Sequence, residues 1–416
     1  MSMRLLHTSD WHLGQSFHQF ERSHEHERFL AWLLDTLVEE SVDVLLIAGD
    51  VFDNANPSAA AQTQLYRFLT EARRRVPHLV IVMTAGNHDS ALRLEAPSPF
   101  MSLIGAHVVG QVSRPDSVEA LERVVVPLTN REGEVAAWCI AMPFLRPGDV
   151  PRVDGGEEGG DAYAAGIETL YRQAMAFACA KREPGQAIVA LGHCHVSGGQ
   201  VSEESERRIV IGDAEALPVA IFDPAIAYVA LGHLHLAQQV GGDPSRRYCG
   251  SPLPMSFSEV DYPHQVVVFD LDGEVATNIR PRHIPRVVEL LRVPKRPAAL
   301  EVALAELNAL DLPERPECEW PFLQVRVQLG QPEPGLRTQV EAAIEGKPVR
   351  LARIETSYMR DESSDAAAPV SLDALNSLEP ADFFQRLYRQ KIGSDVPAEI
   401  MAAFAELMNS APEAEV

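Results

Sequence analysis

Cysteine is scarce in this 416-residue chain: five residues, Cys139, Cys179, Cys194, Cys249 and Cys318, with no CxxC pair. That number and spacing argue against a disulfide framework or a thiolate zinc site, and a reducing compartment fits. Positive charge is also short. Lys and Arg number 36 against 59 Asp and Glu, a formal net charge of −23, so the chain is not built to hold nucleic acid by bulk charge alone. A polyanionic substrate stays open, because metal ions and local arginines can reverse the sign where contact is made. No apolar run reaches the roughly 18–20 residues of a membrane span, and the N-terminal MSMRLLHTSD lacks a basic region followed by an apolar stretch. The expectation is a soluble, unexported, cytoplasmic protein.

Apolar residues at 46% and charged residues at 23% exclude a largely disordered chain. The length exceeds one ordinary core of roughly 100–200 residues, so two or three domains are expected. Through residue 280, short Val/Ile/Leu-rich runs predict buried strands at residues 4–8, 44–48, 79–84, 187–191, 208–212, 227–231 and 265–271. Between the earlier ones, helical patterns occupy residues 27–39, 59–75, 91–104 and 164–181, an order that predicts an α/β domain. Residues 154–160 (DGGEEGG) read as an acidic loop.

Composition changes near Arg280. From there to Pro297 the chain carries Arg280, Arg282, Arg286, Arg292, Lys295 and Arg296 against Glu289. A smaller α+β unit follows, with strands predicted at 287–293, 322–329 and 349–357 and helices at 298–310 and 336–345. The expected organisation is a catalytic domain over 1–280, the α+β domain over 281–359, a linker over 360–372 and terminal helices over 373–410. Those helices, at 381–391 and 397–408, carry an apolar stripe of Phe383, Phe384, Leu387, Tyr388, Ile400, Phe404 and Leu407.

The chemistry concentrates at strand ends. Five predicted strands are each followed within a few residues by oxygen or nitrogen ligands: Asp10 and His12 in HTSDWHLG, Asp50 in AGDVFD, Asn87, His88 and Asp89 in AGNHDS, His193 in LGHCH, and His233 and His235 in LGHLH. Ligands of open α/β sheets bind beyond the carboxyl ends of the strands, so all five groups are expected to converge. Six residues apart from Asp50 divide into two sets of three, and Asp50 could give one oxygen to each of two cations roughly 3.5–4 Å apart. The donors are nitrogen and oxygen without thiolate, which suits Mn²⁺, Fe or Zn²⁺. Gly49, Gly86, Gly192 and Gly232 precede the ligands, where a Cβ would crowd the metals. Each motif alone has an ordinary structural reading as turn chemistry or a satisfied polar pair; the ordered set of five does not.

In this order, DxH, GDxxD, GNHD, GH and GHxH resemble the calcineurin-like metallophosphoesterase superfamily. The flanks HTSDWHLGQ, AGDVFD, AGNHDS, PFLRP, ALGHLH and YCGSPLPMSF are similar to its bacterial DNA-nuclease branch over roughly residues 1–280. The resemblance implies an α/β fold: a metallophosphoesterase sheet sandwich flanked by helices, followed by a small α+β capping domain that touches DNA, and C-terminal helices. It implies one metal site of Asp10, His12, Asp50 and His235 and another of Asp50, Asn87, His193 and His233, most readily filled by Mn²⁺. It makes His88 the catalytic histidine, with Asp89 placed to orient its imidazole. His195 has no ligand role in that pattern, and no role is assigned to Asp53 or Arg146.

The activity implied is double-strand exonuclease and single-strand or hairpin endonuclease cleavage of DNA, in recombination, repair and replication. The partners implied are a coiled-coil ATPase docked on the terminal helices and a second copy of the chain, together a heterotetramer. Around 59–75 and 91–104, Leu65, Phe68, Leu69, Leu92, Phe100, Met101 and Leu103 read first as core packing, and the resemblance implies that part of this surface is a homodimer seam. Other readings keep the metals but change the substrate to a small phosphodiester or phosphoprotein, or treat the domain as a scaffold. VFDNANP after Gly49-Asp50 lacks the arginine of the GDxxDRG phosphatases, and the ligand set is complete where scaffolds tend to lose members.

Overall fold

Alternation within the strands explains the architecture. In a computed structural model, Leu5, Leu46, Val82 and Ala48 face one core while Leu6, Leu45, Ile47 and Ile81 face another. Successive strand side chains point to opposite faces, so a sheet covered on both sides reads as an unbroken apolar run. The structure describes residues 2–115, 117–151, 160–202, 206, 216–358, 380–392, 395–397, 400, 401, 403 and 404. The loop expected at 154–160 lies outside them except for residue 160, and the strand at 208–212 and the linker at 360–372 lie outside them entirely. The second terminal helix is described only at residues 397, 400, 401, 403 and 404.

Two units divide the chain, Met1–Val287 and Val288–Val416. The strands of the first are β1 (Met3–Thr8), β2 (Ser16–Phe17), β3 (Phe20–Glu21), β4 (Val44–Ala48), β5 (Val80–Thr84), β6 (Ala106–Val109) and β7 (Val125–Thr129). Then follow β8 (Val135–Ala141), β9 (Ala187–His193), β10 (Tyr228–Gly232), β11 (Gln238–Val240), β12 (Asp243–Tyr248), β13 (Gln265–Asp272) and β14 (Val275–His283). They form two six-stranded sheets, ordered β14-β13-β1-β4-β5-β6 and β11-β12-β10-β9-β8-β7. β1, β4, β5 and β6 are parallel in the first, as are β8, β9, β10 and β12 in the second. The core between the sheets joins Leu5, Leu46 and Phe269 to Ile140, Val189 and Val229. The fold is an α/β sheet sandwich.

Helices cover the outer faces. α1 (Ser23–Glu39) and α2 (Ala59–Arg75) bury Phe29, Leu33, Leu37, Leu65, Phe68 and Leu69 against the first sheet. The Ser58 side chain caps α2 by accepting the Ala61 N–H. At its other end Arg73 donates to the Leu79 carbonyl, while Arg74 and Arg75 pair with Glu71 and Asp35. The helix expected over 91–104 is instead broken into α3 (Ala91–Glu95), α4 (Ser98–Met101) and a 3₁₀ turn at Ser102–Ile104. Pro97 and Pro99 account for the break, since proline lacks the N–H and its ring clashes with the preceding turn. α5 (Val118–Val124) and α6 (Gly160–Lys181) follow, and α6 buries Ile167, Leu170, Tyr171 and Ala174 in the core of the second sheet.

The second unit contains β15 (Leu290–Ala299), α7 (Leu300–Asn308), β16 (Phe322–Leu329), α8 (Leu336–Ala343) and β17 (Arg350–Tyr358), with the strands in one parallel sheet ordered β15-β16-β17. β15 runs on past residue 293 despite Pro294 and Pro297, because it is an edge strand and its register shifts between Val293 and Ala298. Ala303, Leu307, Leu323, Val325 and Val340 make its core. In α9 (Pro380–Ile392) Phe384 stacks on Phe404, ring centroids 4.2 Å apart; the Phe383 side chain lies outside the described residues. No described helix is long and apolar enough to cross a membrane.

Candidate metal centre

The strand-end residues named above meet at one edge of the first unit. β1 leads to Asp10 and His12, β4 to Asp50 and β5 to Asn87, His88 and Asp89, all from the first sheet. β9 ends in His193 and β10 leads to His233 and His235 from the second. The loops after β1 and β4 are laced together: the Asp10 N–H donates to the Gly49 carbonyl and the His12 N–H to the Asp50 carbonyl, both at 3.0 Å. Asp10, His12 and Asp50 all have positive φ, at 54°, 47° and 46°. Such left-handed backbone costs energy in residues with a Cβ and tends to cluster at functional sites.

Close approach to a candidate ligand explains three of the glycines. A Cβ on Gly49 would stand 2.2 Å from His193 Nδ1, and one on Gly86 2.1 Å from Asp50 Oδ1. One on Gly232 would stand 1.8 Å from the Ala48 carbonyl and 2.9 Å from His193 Nδ1. Gly192 differs from the expectation, since its Cβ would meet the Tyr171 hydroxyl at 2.7 Å and not a candidate ligand.

The imidazoles form two pairs. His12 and His235 have ring centroids 5.4 Å apart, and so do His193 and His233. Asp50 lies between them: its Oδ2 is 3.6 Å from His12 Nε2 and 3.4 Å from His193 Nε2. The expectation was one Asp50 oxygen for each side. Instead the same oxygen faces both, because Oδ1 accepts the His88 main-chain N–H at 2.8 Å. Asp10 accepts the His233 main-chain N–H and the Ser9 hydroxyl. Asn87 Oδ1 is 3.0 Å from His193 Nε2 and 3.1 Å from His233 Nδ1.

These donors fit divalent cations. Donor atoms of Asp10, His12 and His235, of His12, Asp50 and His88, and of Asp10, Asp50 and His193 lie within 4.8 Å of one another in each group. Two atoms each about 2.1 Å from one ion stand roughly 3–3.5 Å apart, close to the separations from Asp50. His12 Nε2 is buried without a hydrogen-bond partner, an arrangement costly for an imidazole unless something else occupies its lone pair.

Four of the five rings are held from behind. Nδ1 of His193 is 2.9 Å from the Ala48 carbonyl, and Nδ1 of His235 is 2.9 Å from Glu259 Oε1. Asp53 Oδ1 lies 3.5 Å from His12 Nδ1, which gives that aspartate a position in the site. His88 Nδ1 is 2.7 Å from the Asp53 carbonyl. Asp89 corrects an expectation. Its buried carboxylate accepts the main-chain N–H groups of Val51, Phe52 and Gly86, so it pins the loops after β4 and β5, and the Asp53 carbonyl is the group against His88 Nδ1.

Electrostatics follow from burial and these contacts. Burial alone would raise Asp50, but the charge and hydrogen bond of His193, then His12 and His88, hold it well below the usual carboxylate range. Burial depresses His193, yet Asp50 and Asp10 outweigh it and push the ring up to about 9. His235 is likewise depressed by burial and raised to about 9 by Glu259 and Asp10. Burial and the neighbouring His193 lower His233 well below its ordinary value. Burial and Asp50 raise Asp89 to about 6 against its three N–H donors. Loading a cation must therefore displace ring protons.

Sequence reasoning missed Glu259 and Glu206, whose positions carry no local motif, and Ser9, which lies inside HTSDWHLG but is not itself a candidate ligand. The segment from Tyr248 to Phe257 is anchored at its start. Here the Tyr248 hydroxyl donates to the Cys194 carbonyl and accepts the Val196 N–H, fixing the chain after His193. Arg146 donates to the Asp89 carbonyl and lies over the Phe144 ring at 5.6 Å. His195 belongs to none of the three donor groups and lines a cavity of about 40 Å³ with His193, Phe144, Leu145 and Tyr163.

The calcineurin-like phosphoesterase family model matches residues 3–237, and a second model, the type 5 capsule protein repressor C-terminal domain, matches residues 286–391. Over 372 residues the chain is 41% identical to the SbcD component of the nuclease SbcCD from Rhodobacter capsulatus, covering 88% of this chain and 90% of that one. The chain belongs to the calcineurin-like phosphoesterase family, in its SbcD branch. The SbcD component of Escherichia coli K12 is 32% identical over 393 residues, 92% of each chain. That of Bacillus subtilis is 31% identical over 291 residues, 66% of this chain and 68% of its own. As an SbcD-branch phosphoesterase the chain is a hydrolase of phosphodiester bonds that uses divalent metal ions.

Proposed function

We propose that the chain is a two-metal DNA nuclease, acting as a double-strand exonuclease and a single-strand and hairpin endonuclease in DNA recombination and repair. The observation that carries this reading is the position of Asp50 Oδ2, within 3.6 Å of one histidine pair and 3.4 Å of the other. Asp10, His12, Asp50 and His235 would hold one ion; Asp50, Asn87, His193 and His233 would hold the other, with Mn²⁺ best matched to this donor set. Bound there, the cations supply a more acidic water and neutralise phosphate charge.

The protein's own part is placement and proton transfer. Asp50 sets the spacing of the two halves, and the backing groups fix which ring nitrogen His12, His193 and His235 present. His88 has its Nδ1 2.7 Å from the Asp53 carbonyl, a contact that sets the orientation of the ring at the site. In-line attack of water on phosphorus builds charge on the leaving oxygen, which His88 stabilises or protonates.

Binding and assembly are read from the surface. In the first unit Arg280 and Arg282 pair with Glu40 and Glu39, so they tie β14 to the end of α1. Backbone contact with DNA then falls to the second unit, where Lys295 and Arg296 are exposed on β15. Leu92, Phe100 and Leu103, at 67%, 75% and 80% exposure, would form the seam of a homodimer. The stripe of Phe384, Leu387, Tyr388 and Phe404 on and beside α9 would dock an SbcC-like coiled-coil ATPase, giving a heterotetramer.

The test is degradation of a linear duplex by the purified chain with its ATPase partner. Mn²⁺-dependent loss of duplex is the expected result. Hydrolysis of bis-p-nitrophenyl phosphate with no DNA cleavage would instead place the substrate among small phosphodiesters.

A further inference from the structure

We propose that Glu259 is the positioning residue for His235, holding the ring so that Nε2 is offered to the cation, and that this task requires a carboxylate. The proposal rests on the metal reading above. Glu259 is fully buried, in the 3₁₀ turn Phe257–Glu259. Its Oε1 is 2.9 Å from His235 Nδ1, and its Oε2 accepts the Met255 main-chain N–H at 2.7 Å.

Both neighbours must be donors. The Met255 N–H is a donor in every state, and His235 Nδ1 must carry a proton if the Nε2 lone pair is to bind a cation. A carboxylate accepts from both at once. Glutamine has one accepting oxygen and one donating nitrogen, so either orientation sets a donor against a donor. If the amide nitrogen faces Met255, a buried N–H loses its partner. If it faces His235, Nδ1 becomes the acceptor and the ring proton moves to Nε2, where it blocks the metal.

Other buried contacts hold this arrangement in place. The His235 main-chain N–H donates to Glu206 Oε1 at 2.6 Å, and Glu206 Oε2 accepts the Ser202 N–H at 2.8 Å. Arg22, bound through two nitrogens to Glu25, donates to the Pro254 carbonyl at 2.7 Å, one residue before Met255. The turn bearing Glu259 is thus anchored by groups that are not themselves candidate ligands.

The experiment measures Mn²⁺ binding by calorimetry and counts bound ions in the full chain and in Glu259→Gln. The wild-type chain should bind two ions; the variant should keep one at unchanged affinity and bind the other about 10–100-fold more weakly. A merely structural role would lower the metal-free melting temperature and leave both affinities as they were, which overturns the proposal. Failure of the wild-type chain to take two ions overturns the underlying metal reading and this proposal with it. Should the variant not fold, a manganese-soaked crystal of the wild-type chain decides. Coordination through His235 Nε2 with Glu259 still on Nδ1 supports the proposal, and coordination through Nδ1 or by Glu259 itself overturns it.

Discussion

The two halves of the site are built from the same ring chemistry but backed differently. Behind His12 and His235 stand carboxylates, Asp53 and Glu259. Behind His193 stands a neutral oxygen, the Ala48 carbonyl. A carboxylate behind an imidazole raises its basicity as a ligand more than a carbonyl does. The lesson is that a centre nearly symmetric in its candidate ligands is asymmetric in its surroundings. The half with anionic backing is expected to hold its ion more tightly.

Removing the shared group should erase the comparison. Asp50→Asn takes charge from both halves at once and is expected to abolish binding of both ions and to lower turnover at least about 10³-fold, read by metal content and duplex degradation. His88→Ala separates binding from chemistry: both ions should stay, and turnover should fall about 10²–10⁴-fold. Unchanged turnover would remove His88 from the mechanism. The smallest effect is expected from Asp53→Asn, which leaves the ring partner in place but neutral. It should weaken one ion by about tenfold, at the low end for a backing residue, and leave the other unchanged. Equal weakening of both ions would show that the halves are not separately backed.

Much of this organisation is legible in the amino-acid sequence, for a physical reason. β1, β4, β5, β9 and β10 are buried on both faces, so they stand out as short apolar runs, and their carboxyl ends carry the candidate ligands within a few residues. What escapes is whatever acts across the chain. Glu259 lies far from His235 in sequence, and only the turn near Met255 brings them together. Asp89 sits beside His88 in sequence, yet its carboxylate turns to three main-chain N–H groups, because a buried strand end must satisfy its donors before anything else. β12, with the sequence DPSRRY, hides its strand among charges. The helix expected over 91–104 fails at Pro97 and Pro99, where a breaker overrides an apolar pattern.

Anomalous scattering from a manganese-soaked crystal tests the central claim most directly. Two ions flanking Asp50 are expected, one beside His12 and His235 and the other beside His193 and His233. A single ion, or none, at that carboxylate would contradict the account.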